Sequence, residues 1–219
     1  MRAPWVAAAI GLICGAGAVT AIPAPAQAQF SVSYDFLKAV KDRDGDVVTR
    51  MVDEPGSGSV IINTRDSSTG QTALHIVVEG RDTNWTGFLL QKGANPNVAD
   101  RAGNTPLMIA TQLGFADGIA WLVKHKVDVN QRNRSGETAL IRAVQLRKPE
   151  MVRMLMKSGS DPDITDNLAG LSARDYAARD RRNAEILAII ENSGAPAQKS
   201  NGDGELDFSG IEEFKVDPE

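Results

Sequence analysis

The 219-residue sequence predicts an all-α repeat solenoid: helix-turn-helix units with β-turn fingers, three well matched, flanked by divergent N- and C-terminal capping repeats. Three observations carry this. Gly70-Gln71-Thr72-Ala73-Leu74-His75, Gly103-Asn104-Thr105-Pro106-Leu107-Met108, Gly136-Glu137-Thr138-Ala139-Leu140-Ile141 and, more weakly, Gly170-Leu171-Ser172-Ala173 recur with their glycines 33, 33 and 34 residues apart. A second column keeps the same phase, in Gly93-Ala94-Asn95-Pro96-Asn97, Lys126-Val127-Asp128-Val129-Asn130 and Gly159-Ser160-Asp161-Pro162-Asp163. Hydrophobic residues make up 42% of the chain but aromatics only 5%, so Ala, Leu, Ile, Val and Met must fill the interior. Closely packed helices suit that composition.

Residues 1–28 read as a secretory signal peptide. Arg2 is the only charge before Asp35, Val6 to Ile22 is an apolar run rich in Ala and Gly, and Pro23, Pro25 and Ala26-Gln27-Ala28 follow. A cut is expected after Ala28. The alternative, an uncleaved anchor, is disfavoured by an apolar run of only 17 residues with two prolines behind it. Ile13 and Gly11 do not fit a lipoprotein signal around Cys14. Cleavage removes Cys14, the only cysteine, and with it any disulfide or thiol chemistry. The expected mature chain draws its stability from packing alone.

The repeat domain is expected over 32–192. Its N-terminal capping repeat, 32–66, carries two short stripes, Phe36, Leu37, Ala39, Val40 and then Val47, Val48, Met51, Val52, before a Pro55-Gly56-Ser57-Gly58-Ser59 insertion. Repeats follow at 67–100, 101–133 and 134–166. In each, Thr72, Thr105 or Thr138 is the N-cap of an inner helix, and Pro106 takes a first helical position, where a missing N–H costs nothing. An outer helix shows its apolar face in Trp85, Phe88, Leu89, Leu90, in Ile119, Trp121, Leu122, and in Met151, Met154, Leu155. Gly93 and Gly159 then end the helix in the left-handed conformation, and an extended β-turn finger leads onward. In the C-terminal capping repeat, 167–192, Tyr176, Ala177, Ile186, Leu187, Ile189 and Ile190 are expected to face the stack. Arg174, Asp175, Arg179, Asp180, Arg181 and Arg182 are expected to face water, as a terminal cap requires. Residues 193–219 show no apolar period and read as a disordered acidic tail.

These units resemble ankyrin repeats, whose pattern runs G-x-T-P-L-H and then L-L-x-x-G-A-x-x-N. Departures are local: Lys126 replaces the helix-ending Gly, Arg81 and Arg147 replace the inter-helix Gly found as Gly114, and Val77 replaces the Ala seen as Ala110 and Ala143. A left-handed Lys126 costs about 1 kcal/mol, which a stacked array tolerates. The resemblance implies that His75 bridges neighbouring fingers by hydrogen bonds. It also implies a concave surface of fingers and inner helices that holds another protein.

Catalytic chemistry finds little support. The mature chain offers two histidines and no cysteine, with His125 between Lys124 and Lys126 and expected to be solvated. No cofactor or metal is expected. Asp42-x-Asp44-x-Asp46 and Asn201-x-Asp203-x-Glu205 imitate calcium loops but carry Val47 and Leu206 where the sharp turn needs glycine. The net charge of −4 gives no cationic excess for nucleic acid. Residues 193–219 hold a net −5, which leaves the repeat domain neutral. Its fingers carry Arg65, Arg101, Arg132 and Arg134, either a solvated row or an electropositive edge for a partner, including the chain's own acidic tail.

Positions matching the family's contact surface are Gln71, Glu79, Arg101, Asn104, Gln112, Leu113, Arg134, Glu137, Gln145 and Leu146. Leu113 and Leu146 are either a small apolar centre with a polar rim or covers over the inter-helix loops. The functional expectation is a non-enzymatic, periplasmic protein-protein interaction scaffold that binds or protects a partner. The alternative is an extracellular adaptor or inhibitor.

Overall fold

A computed structural model describes residues 24–56 and 58–194. The expected signal segment up to residue 23 and the expected tail from residue 195 lie outside the described residues. Within them the chain forms a stack of helix pairs, with an isolated bridge between Thr165 and Ser172 as the strand-like feature.

The N-terminal unit supplies α1 (Ala24–Asp42), α2 (Gly45–Asp53) and α3 (Gly58–Ile61). The three regular units follow as inner and outer pairs: α4 (Ala73–Glu79) with α5 (Thr83–Gln91), α6 (Pro106–Leu113) with α7 (Ala116–Lys124), and α8 (Ala139–Gln145) with α9 (Pro149–Lys157). The last unit has α10 (Ala173–Arg179), a 3-10 turn at Arg181–Asn183, and α11 (Ala184–Gly194). The N-caps of α4, α6 and α8 are those the sequence indicates. Thr105 and Thr138 accept the N–H three residues on, Thr72 shares a capping box with His75, and Ser172 shares one with Asp175. The capping repeats differ slightly from the expected domain limits, since α1 begins at Ala24 and α11 runs to Gly194.

One continuous core runs through the stack. Leu74, Leu107 and Leu140 of the inner helices and Leu89, Leu122, Leu155 and Ile190 of the outer ones are buried in register. The same column that places these residues also places the turns. Gly93 and Gly159 hold φ of 92° and 87°, and Lys126 stands in their conformation at 58°. Arg81 and Arg147 occupy the inter-helix position at 52° and 53°, where Gly114 has 70°. Arg43 at 61° makes a fourth strained position that the glycine pattern does not flag.

Three sets of hydrogen bonds tie the units together. Asn63 Oδ1 accepts Asn95 N–H, Asn97 Oδ1 accepts Asp128 N–H, and Asn130 Oδ1 accepts Asp161 N–H, at 2.7, 2.7 and 2.8 Å. The left-handed arginines reach forward to the next junction: Arg43 Nε to Asp82 at 2.7 Å, Arg81 to the Leu113 carbonyl, and Arg147 to Asp180 at 3.0 Å. The strain at these positions therefore aims a cation across a unit boundary. The third set joins the fingers and carries the candidate face.

A candidate protein-binding face

Each finger is a turn closed on an Asp or Asn. Asp66, Asp100, Asn133 and Asp166 accept N–H groups from the residues two to four ahead. Asp66 is held well below the usual carboxylate range by the Ser68 hydroxyl first, then the Thr69 and Ser68 N–H groups. Asp166 is also lowered, chiefly because the Tyr176 hydroxyl donates to it at 2.5 Å. This column escaped the sequence reading. Its signal was an Asp or Asn three or four residues before every finger glycine.

His75 holds two fingers together, as the resemblance implies. Its ring is fully buried, Nδ1 accepts the Thr72 N–H at 3.1 Å, and Nε2 faces the Asn104 carbonyl of the next finger at 3.2 Å. An accepting Nδ1 fixes the neutral ring with its proton on Nε2. Burial lowers its pKa. His125 corrects the expectation of a solvated ring: it is half-buried, stacked on Trp121 at 5.8 Å, with Nδ1 2.9 Å from the Trp121 carbonyl.

The fingers and the outward positions of α4, α6 and α8 bring most of the expected face together. Gln71 Nε2 donates to Glu79 at 2.5 Å. Glu137 Oε2 accepts Arg142 at 2.6 Å and Asn133 at 3.0 Å, Arg142 donates to Gln112 at 3.1 Å, and Asn133 also donates to Asn104 at 3.3 Å. Burial pushes the Glu137 carboxyl up, but the bonds from Asn133 and Arg142 overcome that and hold it below its ordinary value. Gln145 lies near both Glu137 and Tyr176 and favours the charged form of each. Thus Asn104, Gln112 and Glu137 are parts of one network spanning two repeats, with Gln145 beside it. Arg142, its hub, and Tyr176, which donates to Asp166, were not among the residues expected at this face. They stand six residues after their finger glycines, in register with the half-buried Ile76 and Ile109, so an apolar column hid a polar continuation.

The two leucines separate. Leu113 is half-buried against the core and its carbonyl serves Arg81, whereas Leu146 is 44% exposed. The finger arginines also separate. Arg65 donates to the Gly70 carbonyl at 3.1 Å, Arg101 to the Ser67 carbonyl, and Arg132 to Gly136, Thr165 and Asn167 at 3.0, 2.8 and 2.7 Å. These three brace the fingers. The Arg134 guanidinium has no hydrogen-bond partner among the described residues, while its backbone N–H donates to Ala102 at 3.2 Å.

Of the first imitation calcium loop, Asp42 pairs with Lys38 at 2.6 Å and Asp44 caps α2. Among the described residues no group of three or more His, Cys, Asp or Glu could hold a metal ion, and no helix is long and apolar enough to cross a membrane.

The family model for ankyrin repeats (3 copies) matches residues 36–133 and 87–166, more than half of the chain. The chain belongs to the ankyrin repeat family. A curated relative, oxysterol-binding protein homolog 1 of Saccharomyces cerevisiae (strain ATCC 204508 / S288c), is 30% identical over 86 residues. That segment is 39% of this chain and 7% of that protein, so the chain spans under a tenth of the relative it matches. The ankyrin stack is a protein-protein interaction scaffold.

Proposed function

We propose that this ankyrin protein is an exported, non-enzymatic platform that holds or protects a protein partner in the periplasm. The observation that carries the reading is the preassembled network of Asn104, Asn133, Glu137, Arg142 and Gln112 beside the exposed Leu146. Side chains already held by one another lose little conformational freedom when a partner docks, which favours binding. Gln71 and Glu79 extend the face toward the N-terminal unit, and Arg134 offers an unengaged cation at its finger edge. Arg101 and Arg132 contribute by keeping the fingers in place. The apolar run with its Ala26-Gln27-Ala28 site supports export, with the mature chain beginning at Gln29 inside α1. The balance of acid and base in the domain disfavours nucleic acid.

Intact mass of the protein recovered from the periplasm tests export: a mass starting at Gln29 supports it, and one retaining Met1 to Ala28 contradicts it. Partner retention by a Leu146→Asp, Gln112→Ala variant tests the face. It should fall by an order of magnitude or more, roughly the loss for truncated central contacts, while Lys157→Asp on an outer helix leaves it unchanged. Equal retention by both variants would move the binding site elsewhere.

A further inference from the structure

The outer edge of the fingers carries charge without counter-charge. Arg65, Arg101, Arg132 and Arg134 are all exposed, and none of them has a carboxylate partner among the described residues. Arg65, Arg101 and Arg132 donate to main-chain carbonyls and to the Asn167 amide, which hold a guanidinium in place but leave its charge whole. Arg134 follows its finger acceptor Asn133 as Arg101 follows Asp100, yet its side chain makes no bond matching that from Arg101 to Ser67. The finger carboxylates are turned the other way. Asp66 and Asp100 are half-buried and Asp166 is buried, each occupied by N–H groups of its own turn.

The edge also has a period. Each finger gives one main-chain N–H to the finger before it: Arg101 to the Thr69 carbonyl at 2.9 Å, Arg134 to Ala102 at 3.2 Å, Asn167 to Ser135 at 2.9 Å. Their spacing follows that of the packed inner helices, about 8 to 10 Å. An extended segment in the left-handed form with three residues per turn rises about 3.1 Å per residue, so every third side chain points the same way and recurs about every 9 Å. That repeat matches the fingers. Ser67, Ser68, Thr69 and Ala102 between the arginines are small and exposed, so a backbone can approach, and the row ends at Leu168, 80% exposed beside the Asn167 that holds Arg132. A nucleic-acid strand brings a phosphate about every 3.4 Å, roughly three to each finger, where the row offers about one guanidinium. The carboxylates of the adjoining groove are engaged, Glu79 by Gln71 and Glu137 by Arg142 and Asn133.

We propose that the finger edge is the docking track for an extended acidic segment of the protein partner, with a carboxylate at every third residue meeting the guanidiniums of Arg65, Arg101, Arg132 and Arg134, and an apolar residue resting on Leu168. The inference rests on the proposed scaffold reading and names the chemistry of what the scaffold holds. Charge complementarity selects the occupant. Three of the four cations are fixed by the fingers before a partner arrives, so pairing them costs little side-chain ordering. Arg134 brings all its N–H groups, enough to take a carboxylate through two parallel bonds.

Fluorescence anisotropy with the full chain tests this, using a labelled peptide of repeated Glu-Pro-Pro units, its Gln-Pro-Pro counterpart, and an isomer with the glutamates adjacent. The Glu-Pro-Pro peptide should bind at least about threefold more tightly than either control, and more weakly as salt rises. Arg134→Gln breaks no finger bond, so it should leave the thermal midpoint in place and weaken binding about threefold, the loss expected for one exposed ion pair. Lys157→Gln on α9 should change neither. Equal binding of the Glu and Gln peptides, or equal effects of Arg134→Gln and Lys157→Gln, overturns the proposal. Tighter binding of a single-stranded oligothymidylate, lost in Arg134→Gln, also overturns it and assigns the row to nucleic acid. The scaffold reading fails separately: if Leu146→Asp, Gln112→Ala lowers partner retention and Arg134→Gln does not, the acidic track falls and the scaffold stands.

Discussion

His75 is neutral, buried and bonded on both ring nitrogens, so protonation must break the bond to the Thr72 N–H and place a charge in the stack. Above its ordinary pKa of 6.5 the folded and unfolded chains both carry it neutral. Below that value the unfolded chain takes up a proton that the folded chain resists, so stability falls as pH drops, until the lowered folded pKa is passed. Denaturant titrations at pH 7.5 and 5.5 should show this loss, and His75→Gln, though less stable throughout, should show a flatter dependence. Lys126 makes a second test. It is exposed at φ 58°, with no hydrogen bond from its side chain, so Lys126→Gly should stabilise by about 1 kcal/mol in thermal unfolding. Arg81→Gly and Arg147→Gly should gain less, because each loses a bond into the next unit. At this scale the glycine and threonine columns were legible because one residue type satisfies one backbone need. The ladder of Asn63, Asn97 and Asn130 was not: its acceptors and donors lie some thirty residues apart, and an isolated Asn in a turn has a sufficient local explanation.

Inner and outer helices divide the work of each unit. The inner helices are seven or eight residues long, too short to stand alone in water, and they persist because their leucines are enclosed between neighbours. Leu107→Ala in α6 should therefore cost roughly 2 to 5 kcal/mol, read as a lowered denaturation midpoint. A cost under about 1 kcal/mol would mean that the core column is misplaced. Both helices of every regular unit could be read from the apolar period. α3 could not, because the four residues Gly58–Ile61 are too few to display a period, and Pro55 and the glycines beside it read as an insertion. The same limit hid Arg142 and Tyr176. Period separates core from surface, but it does not say which surface side chains will find each other across a unit boundary.

In the whole molecule the repeats contact mainly their neighbours, so the stack is stabilised by unit and interface contributions in series. Finger, inner-helix and junction bonds all cross those interfaces, and they fix the spacing of the residues on the concave face. The fold was legible from two repeating columns, and the candidate face was expected from the resemblance those columns carry. The use of three finger arginines as braces was not, since a charged row in sequence looks the same whether it meets a carbonyl or a partner. A photo-crosslinking amino acid placed at Leu146 or Gln112, and separately at Lys157 or Glu150 on α9, tests the central claim most directly in cells that produce the protein. The account predicts one discrete adduct from the concave positions and none from α9. Adducts from α9 alone, or equal adducts from both, would contradict it.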